Sequence, residues 1–184
     1  MKNLLDALFH RKIAYAVLVQ NGAIAELSPA WNEFAGLTGL HLPNSGIGYN
    51  YLQTCAAGPR EVLQNKLASL FSGTARAFTF LYQSNGAAGK RWYLIIGVPG
   101  DSAGLDFDKV LVFHVPLTAL LAAESSGGLI GVVEETLAFR REEIIVGILR
   151  SAVVDRFGGR LYCPDSFSAQ QAHVPGRAGA WLDS

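Results

Sequence analysis

A chain of 184 residues, half of them hydrophobic and 16% charged, has room for one domain with an extension and enough apolar content for a buried core, which excludes wholesale disorder. Its 15 basic and 15 acidic residues cancel, which argues against nucleic acid as a partner, because phosphate neutralisation supplies most of that affinity. The 2 cysteines, Cys55 and Cys163, make no disulfide framework and fit a reduced, cytoplasmic setting, and no apolar run approaches the ~20 residues of a membrane helix.

In chain order, Asn3 to His10 reads as a short amphipathic helix with Leu4, Leu5, Leu8 and Phe9 on one face, so residues 1–12 form a segment separate from the domain. Arg11 and Lys12, the apolar Ile13–Val19 and the triplet Ala23-Ile24-Ala25 imitate a secretory leader. Asp6 in the would-be basic region and the helical spacing of the leucines oppose that reading. Ile13–Gln20 is instead a strand, closed by the hairpin signal Asn21-Gly22 and answered by Ala23–Leu27. Ser28-Pro29 opens a helix as N-cap and first helical residue, with its body over 30–36. Gly36–Gly48 is glycine-rich and irregular, then Tyr49 to residue 72 is helical with an interruption at Gly58-Pro59, and Gly73 closes it. Three strands come next: Phe78–Tyr82, Arg91–Val98 and Val110–Val115, with a turn over Ser84–Gly89 and a polar loop over Gly100–Asp108. This order predicts an α+β domain over 13–118, a five-stranded antiparallel sheet with helices on one face.

Beyond Pro116 the texture changes. Leu117–Ala123 reads as a short helix and Leu129–Phe157 as a long one, making 119–157 a C-terminal helical extension. Its stripe of Ile130, Val133, Leu137, Ile144, Ile148 and Ala152 is interrupted by Arg141. Residues 158–184, rich in Pro, Gly and Ala, are left irregular.

Four segments in this order resemble the PAS domains of bacterial sensors. Ser28-Pro29-Ala30-Trp31-Asn32-Glu33-Phe34 is similar to the PAS passage from second strand to first helix. Gly46-Ile47-Gly48-Tyr49-Asn50-Tyr51-Leu52 resembles the Gly-x-Asn-Tyr-Leu stretch, Arg91-Trp92-Tyr93 the Arg-Trp-aromatic start of the fourth strand, and Phe113–Thr118 the final strand. The family usually has Asp where Pro116 stands, which weakens the expected linkage to a downstream signalling helix. The resemblance covers residues 10–118. It implies a signal-sensing module that binds a small molecule or cofactor between sheet and helices, forms a homodimer and relays a conformational change to a signalling output protein.

Trp31, Phe34, Tyr51, Phe78, Phe80, Trp92 and Phe113 either line an apolar pocket or fill a closed core, since aromatics serve both. Asn50 and Arg91 are candidates for specificity, although Asn50 is as well explained as a helix cap. The expected ligand site is therefore Trp31, Asn50, Tyr51, Phe80, Arg91, Trp92 and Phe113, holding a small apolar ligand. No cofactor is assigned. Cys55 lies one helical turn beyond Asn50 rather than beside it, so a flavin adduct is not indicated, and its default is a small buried hydrophobe. His41 and His114 are the candidate haem ligands, but the family commonly supplies that histidine from the long helix, and Tyr49–Phe71 has none. Phosphate-loop and zinc spacings are absent, and Glu134-Glu135 and Glu142-Glu143 around Arg140-Arg141 read as a solvated helix face. No nucleophile and base converge, so an enzyme is not expected. The competing reading is a PAS scaffold with a closed core, used only for protein contacts.

Overall fold

The computed structural model of the protein describes residues 13–55, 57–86, 89–117, 131, 134–135 and 138–149. The first apolar run is strand β1 (Ala14–Val19), and the chain returns through Asn21-Gly22 into β2 (Ile24–Leu27). Gly22 takes φ 77° in that turn, a region open to glycine without strain. Helix α1 (Trp31–Thr38), two 3-10 turns (Pro43–Gly46 and Tyr51–Thr54) and helix α2 (Ala57–Phe71) come next. Strands β3 (Phe78–Gly86), β4 (Gly89–Pro99) and β5 (Lys109–Pro116) complete the sheet, and residues 138–149 form a further helix, α3.

The five strands lie in the order β2-β1-β5-β4-β3, every neighbouring pair antiparallel. This is the α+β, PAS-like architecture that the order of elements predicts. Successive strand residues point to opposite faces. Ala14, Ala16, Leu18, Phe78, Tyr93, Ile95, Val110 and Val112 form one inner core with Trp31, Phe34, Tyr51, Leu63, Leu67 and Leu70 from the α1–α2 side. Tyr15, Val17, Leu94, Ile96, Leu111, Phe113 and Val115 form an outer core with Ile144, Ile145, Ile148 and Leu149 of α3. Helices thus cover both faces, and the segment after Pro116 supplies the second cover.

Several boundaries differ from expectation. The helix expected from Tyr49 to residue 72 is a 3-10 turn over Tyr51–Thr54 and then α2 from Ala57, so Gly58-Pro59 falls in the first turn of α2, where a proline is tolerated, instead of interrupting it. Helix α1 starts at Trp31, not Pro29, because the Ser28 hydroxyl does not cap it. That oxygen accepts the Tyr15 N–H at 2.9 Å, and the N-cap position falls on Ala30 with no side-chain bond. The β3–β4 hairpin is longer than its composition suggests: Ser84, Asn85 and Gly86, expected in a turn, pair with Arg91, Lys90 and Gly89. Backbone ladders do not depend on side-chain polarity, so the strands run past the core.

Arg141, which interrupts the apolar stripe, marks the polar edge of α3 and donates from Nη2 to the Ala77 carbonyl at 2.8 Å. Arg140 pairs with Glu143, and Glu134, Glu135, Glu142 and Glu143 are exposed, as a solvated face requires. Residues 144–149 therefore bury their apolar side within the chain rather than presenting it to a second copy. The expected N-terminal helix, residues 118–123 of the short helix, Ile130, Val133, Leu137 and Ala152 of the stripe, and the 158–184 tail lie outside the described residues.

Phe78 packs its ring against Gly97, its cross-strand partner, and a Cβ there would sit 2.2 Å from the ring. Gly97→Ala is expected to cost roughly 1–3 kcal/mol by forcing Phe78 aside. Chemical denaturation measures it, and unchanged stability would mean that the ring does not lie there.

Candidate functional site

The inner face carries one row of cross-strand partners: Ala14 on β1, His114 on β5, Ile95 on β4 and Phe80 on β3. His114 is the polar member of that row and is buried, at 4% exposure. The small Ala14 beside it leaves space where a larger strand residue would fill the layer.

Tyr51 reaches His114 from the other side of the gap. Its segment is held by pairing with the β2 end of the first hairpin. Gly48 N–H donates to Ile24 O at 2.8 Å, Ile24 N–H to Tyr49 O at 2.9 Å, and Tyr51 N–H to Gly22 O at 2.9 Å. Asn50 fastens this join. Its Nδ2 donates to Asn21 O at 3.1 Å, and its Oδ1 accepts Leu52 N–H at 2.9 Å, capping the turn over Tyr51–Thr54. Tyr51 then points fully into the core, with its hydroxyl 3.0 Å from His114 Nε2. Around His114 pack Phe34 at 4.4 Å between ring centroids, Trp31 at 5.5 Å and Tyr82 at 6.5 Å.

Two cavities of ≈ 330 Å³ each adjoin this cluster, and Phe34 and His114 border both. The more enclosed one lies among α1, α2, β3 and β4, with Thr38, Cys55, Leu63, Tyr82 and Ile95 on its walls. The other opens past Glu33, Leu37, Tyr93 and Pro116. Each is within the size range of small-molecule sites.

Burial sets the electrostatics of this cluster. Burial without a countercharge pushes the His114 imidazole down to about 3, so it is neutral at physiological pH. Burial likewise raises the Tyr51 and Tyr82 hydroxyls and the Cys55 thiol, keeping all three protonated. Among the described residues three buried polar atoms have no hydrogen-bond partner: His114 Nδ1, Tyr93 Oη and Arg91 Nε. Burial raises Tyr93 as well, with Arg91 opposing it. Among the described residues no group of His, Cys, Asp or Glu converges as a metal site, and His41 is exposed in its loop.

Of the residues singled out from sequence, Trp31, Tyr51 and Phe80 belong to this inner layer. Asn50 adjoins it but turns its amide to the hairpin, as the capping alternative has it. Arg91 is half-buried on the same face, opposite Ser84 in register, and outside both cavity walls. Trp92 and Phe113 point to the other side of the sheet, toward the α3 core, and so do not bound the gap. Strand parity causes this: Tyr93 and His114, one position along from each, hold the inward places. Phe34, read from sequence as a pocket or core aromatic but left out of the expected site, is a wall of both cavities; His114, weighed there only as a haem ligand, borders both; Tyr82 and Tyr93 were missed. The signal for His114 was its place two residues beyond Val112 and four beyond Val110, an inward register it shares with apolar neighbours.

No family model matches the chain, and no curated protein matches it. Solved structures of similar shape include the PAS domain of the Cronobacter turicensis quorum-sensing receptor RpfR in complex with C12:0. It has 12% identity and a TM-score of 0.43, over 59% of this chain and 96% of that one. The Vibrio cholerae VqmA dimer in the absence of target DNA has 14% identity and a TM-score of 0.47, over 65% of this chain and 52% of that one. The sensor region of a sensor histidine kinase has 12% identity and a TM-score of 0.43, over 58% of this chain, and the match spans 40% of that protein's length.

Asn50→Ala removes the clasp and is expected to cost about 1 kcal/mol, read by denaturation. The pH dependence comes from His114. Its folded pKa lies below the ordinary 6.5, so between about 6.5 and 3 the unfolded chain holds a proton that the folded chain lacks. The stability contribution is fully present above the unfolded value and is lost as pH falls through that window, with a slope approaching ~1.4 kcal/mol per pH unit. Denaturation across the window should show His114→Gln with a shallower slope; identical slopes would mean the imidazole is solvated.

Proposed function

We propose that this PAS-like fold is a signal-sensing module that takes a small, largely apolar ligand between the sheet and helices α1 and α2, and relays the resulting change through dimer or partner contacts. One observation carries the reading: the buried His114, held by Tyr51 on one nitrogen and unpartnered on the other, borders both cavities. Buried polar atoms are nearly always satisfied, and a core that served packing alone would gain by an apolar residue there.

A relay path is supported by the sheet itself. Strand β5 presents His114 to the gap and Phe113 and Val115 to the α3 core, so a shift of the strand is felt on both faces. Cytoplasmic placement and a homodimer complete the reading; no helix among the described residues is long and apolar enough to cross a membrane. The non-catalytic role is supported by charge state. His114, Tyr51, Tyr82 and Cys55 are held neutral by burial, so the pocket holds neither a thiolate nor a base poised near neutral pH. The alternative, a closed-core scaffold used for protein contacts, requires the cavities to stay empty.

Native mass spectrometry and an absorption spectrum of the purified chain, with thermal shifts across a metabolite library, test this. The expected result is a bound small molecule or a ligand-dependent rise in Tm that is lost when Thr38→Phe fills the enclosed cavity. No bound molecule and no shift would establish the scaffold instead. Sedimentation of the full chain against one lacking residues 1–11 tests the dimer: monomers in both would remove it.

A further inference from the structure

The proton on His114 can be placed by counting partners. If Tyr51 O–H donates to Nε2, the hydrogen sits on Nδ1, and one buried donor is left over. If instead Nε2–H donates to the Tyr51 oxygen, two groups are left poorly served. The Tyr51 hydroxyl proton then has only the neighbouring Cys55 sulfur, a weak acceptor, and the Nδ1 lone pair has nothing. The Cys55 thiol meanwhile already donates to the Tyr51 carbonyl at 3.6 Å. The first arrangement satisfies more groups, so Nδ1 is a donor.

The more enclosed cavity has a wall chemistry to match. Its apolar part is Phe34, Leu63 and Ile95, and its polar part is hydroxyls and amides such as Thr38, Tyr82 and Gln83. Among the described residues no Lys, Arg, Asp or Glu lines it. An ion entering would lose its hydration with no countercharge, which costs far more than a hydrogen bond returns. Arg60, whose guanidinium donates to the carbonyl of the wall residue Cys55 at 3.0 Å, and Arg91, on the same sheet face, are the candidate countercharges, and neither lines this wall.

Resting on the sensor reading, we propose that this cavity takes an uncharged, mostly apolar molecule presenting one hydrogen-bond acceptor, of the carbonyl or ring-nitrogen kind, to Nδ1–H of His114. Tyr51 is then a positioning residue, holding the imidazole so that Nδ1 carries the proton. Phe34 forms the wall between the two cavities, so an occupant is sensed directly by α1.

Three probes of closely similar shape separate the possibilities: acetophenone (neutral, with an acceptor), ethylbenzene (neutral, without one) and benzoate (anionic). Each is titrated into the full-length, nitrogen-15-labelled chain by NMR. Acetophenone is expected to bind about tenfold more tightly than ethylbenzene, the worth of one good neutral hydrogen bond, and more tightly than benzoate. The His114 Nδ1–H resonance should move with acetophenone alone, and His114→Phe should erase the preference while ethylbenzene still binds. If that variant does not fold, the wild-type Nδ1–H resonance decides by itself. Tightest binding by benzoate, lost in Arg60→Gln or Arg91→Gln, would overturn the proposal in favour of an anion site. Equal binding of acetophenone and ethylbenzene with an unmoved Nδ1–H would overturn it too, leaving a water on the nitrogen. Should none of the three bind while another molecule co-purifies, this inference falls and the sensor reading stands; should nothing co-purify or bind, both fall.

Discussion

Strand β5 is hydrogen-bonded to β1 on one side and to β4 on the other, and it is buried on both faces. Everything else is arranged around that condition. A strand in this place cannot show water any side chain, so Val110 to Val115 are each enclosed. Burying a large apolar side chain contributes ~1.5–3 kcal/mol, and the five apolar residues of this run supply it on both faces. His114 is the exception in composition, and its polarity has to be accommodated by the chain around it. Tyr51 does so for Nε2, and the geometry that delivers Tyr51 is the reason the segment from Gly48 to Tyr51 pairs with Ile24 and Gly22.

The double cover of the sheet gives the two faces different characters. The outer face is filled by aliphatic and aromatic side chains against Ile144, Ile145, Ile148 and Leu149, and it has the composition of a permanent contact. On the inner face, rings from α1, the Tyr51–Thr54 turn and β3 surround a histidine, and the packing stops short of closing. Protein interiors are packed about as densely as organic crystals, so two cavities meeting at one buried polar group are a departure from the norm. The same desolvation that keeps the imidazole neutral makes the pocket inhospitable to ions. The selectivity proposed for it and the expected pH response therefore share one cause.

Arg141 has a part in this arrangement. A charged residue in the stripe of a packed helix ought to weaken it, yet its guanidinium reaches the Ala77 carbonyl at the entry to β3, one residue before Phe78. Phe78 covers Gly97 on the inner side. Helix α3 is thus tied to the strand end that supports the pocket layer, as well as to the outer core.

By itself the sequence determined the elements and their order. Alternating runs such as Phe78–Tyr82, the Asn21-Gly22 turn and the three-and-four spacing of Leu63, Leu67 and Leu70 are local patterns, and local backbone preference acts over the same few residues. The PAS-like motifs are local in the same way, as is Asn50 as a cap. The pocket is not, because its composition depends on which face each strand residue takes once the register is set. Trp92 and Phe113 look like pocket residues in the chain, but a one-position parity sends them to the outer core and gives their places to Tyr93 and His114. Ser28 looks like a helix cap, yet it meets the Tyr15 N–H, 13 residues away in sequence. The Tyr51–His114 contact joins residues 63 apart. No periodicity encodes such a distance; only the assembled antiparallel sheet, with β5 between β1 and β4, brings those atoms together.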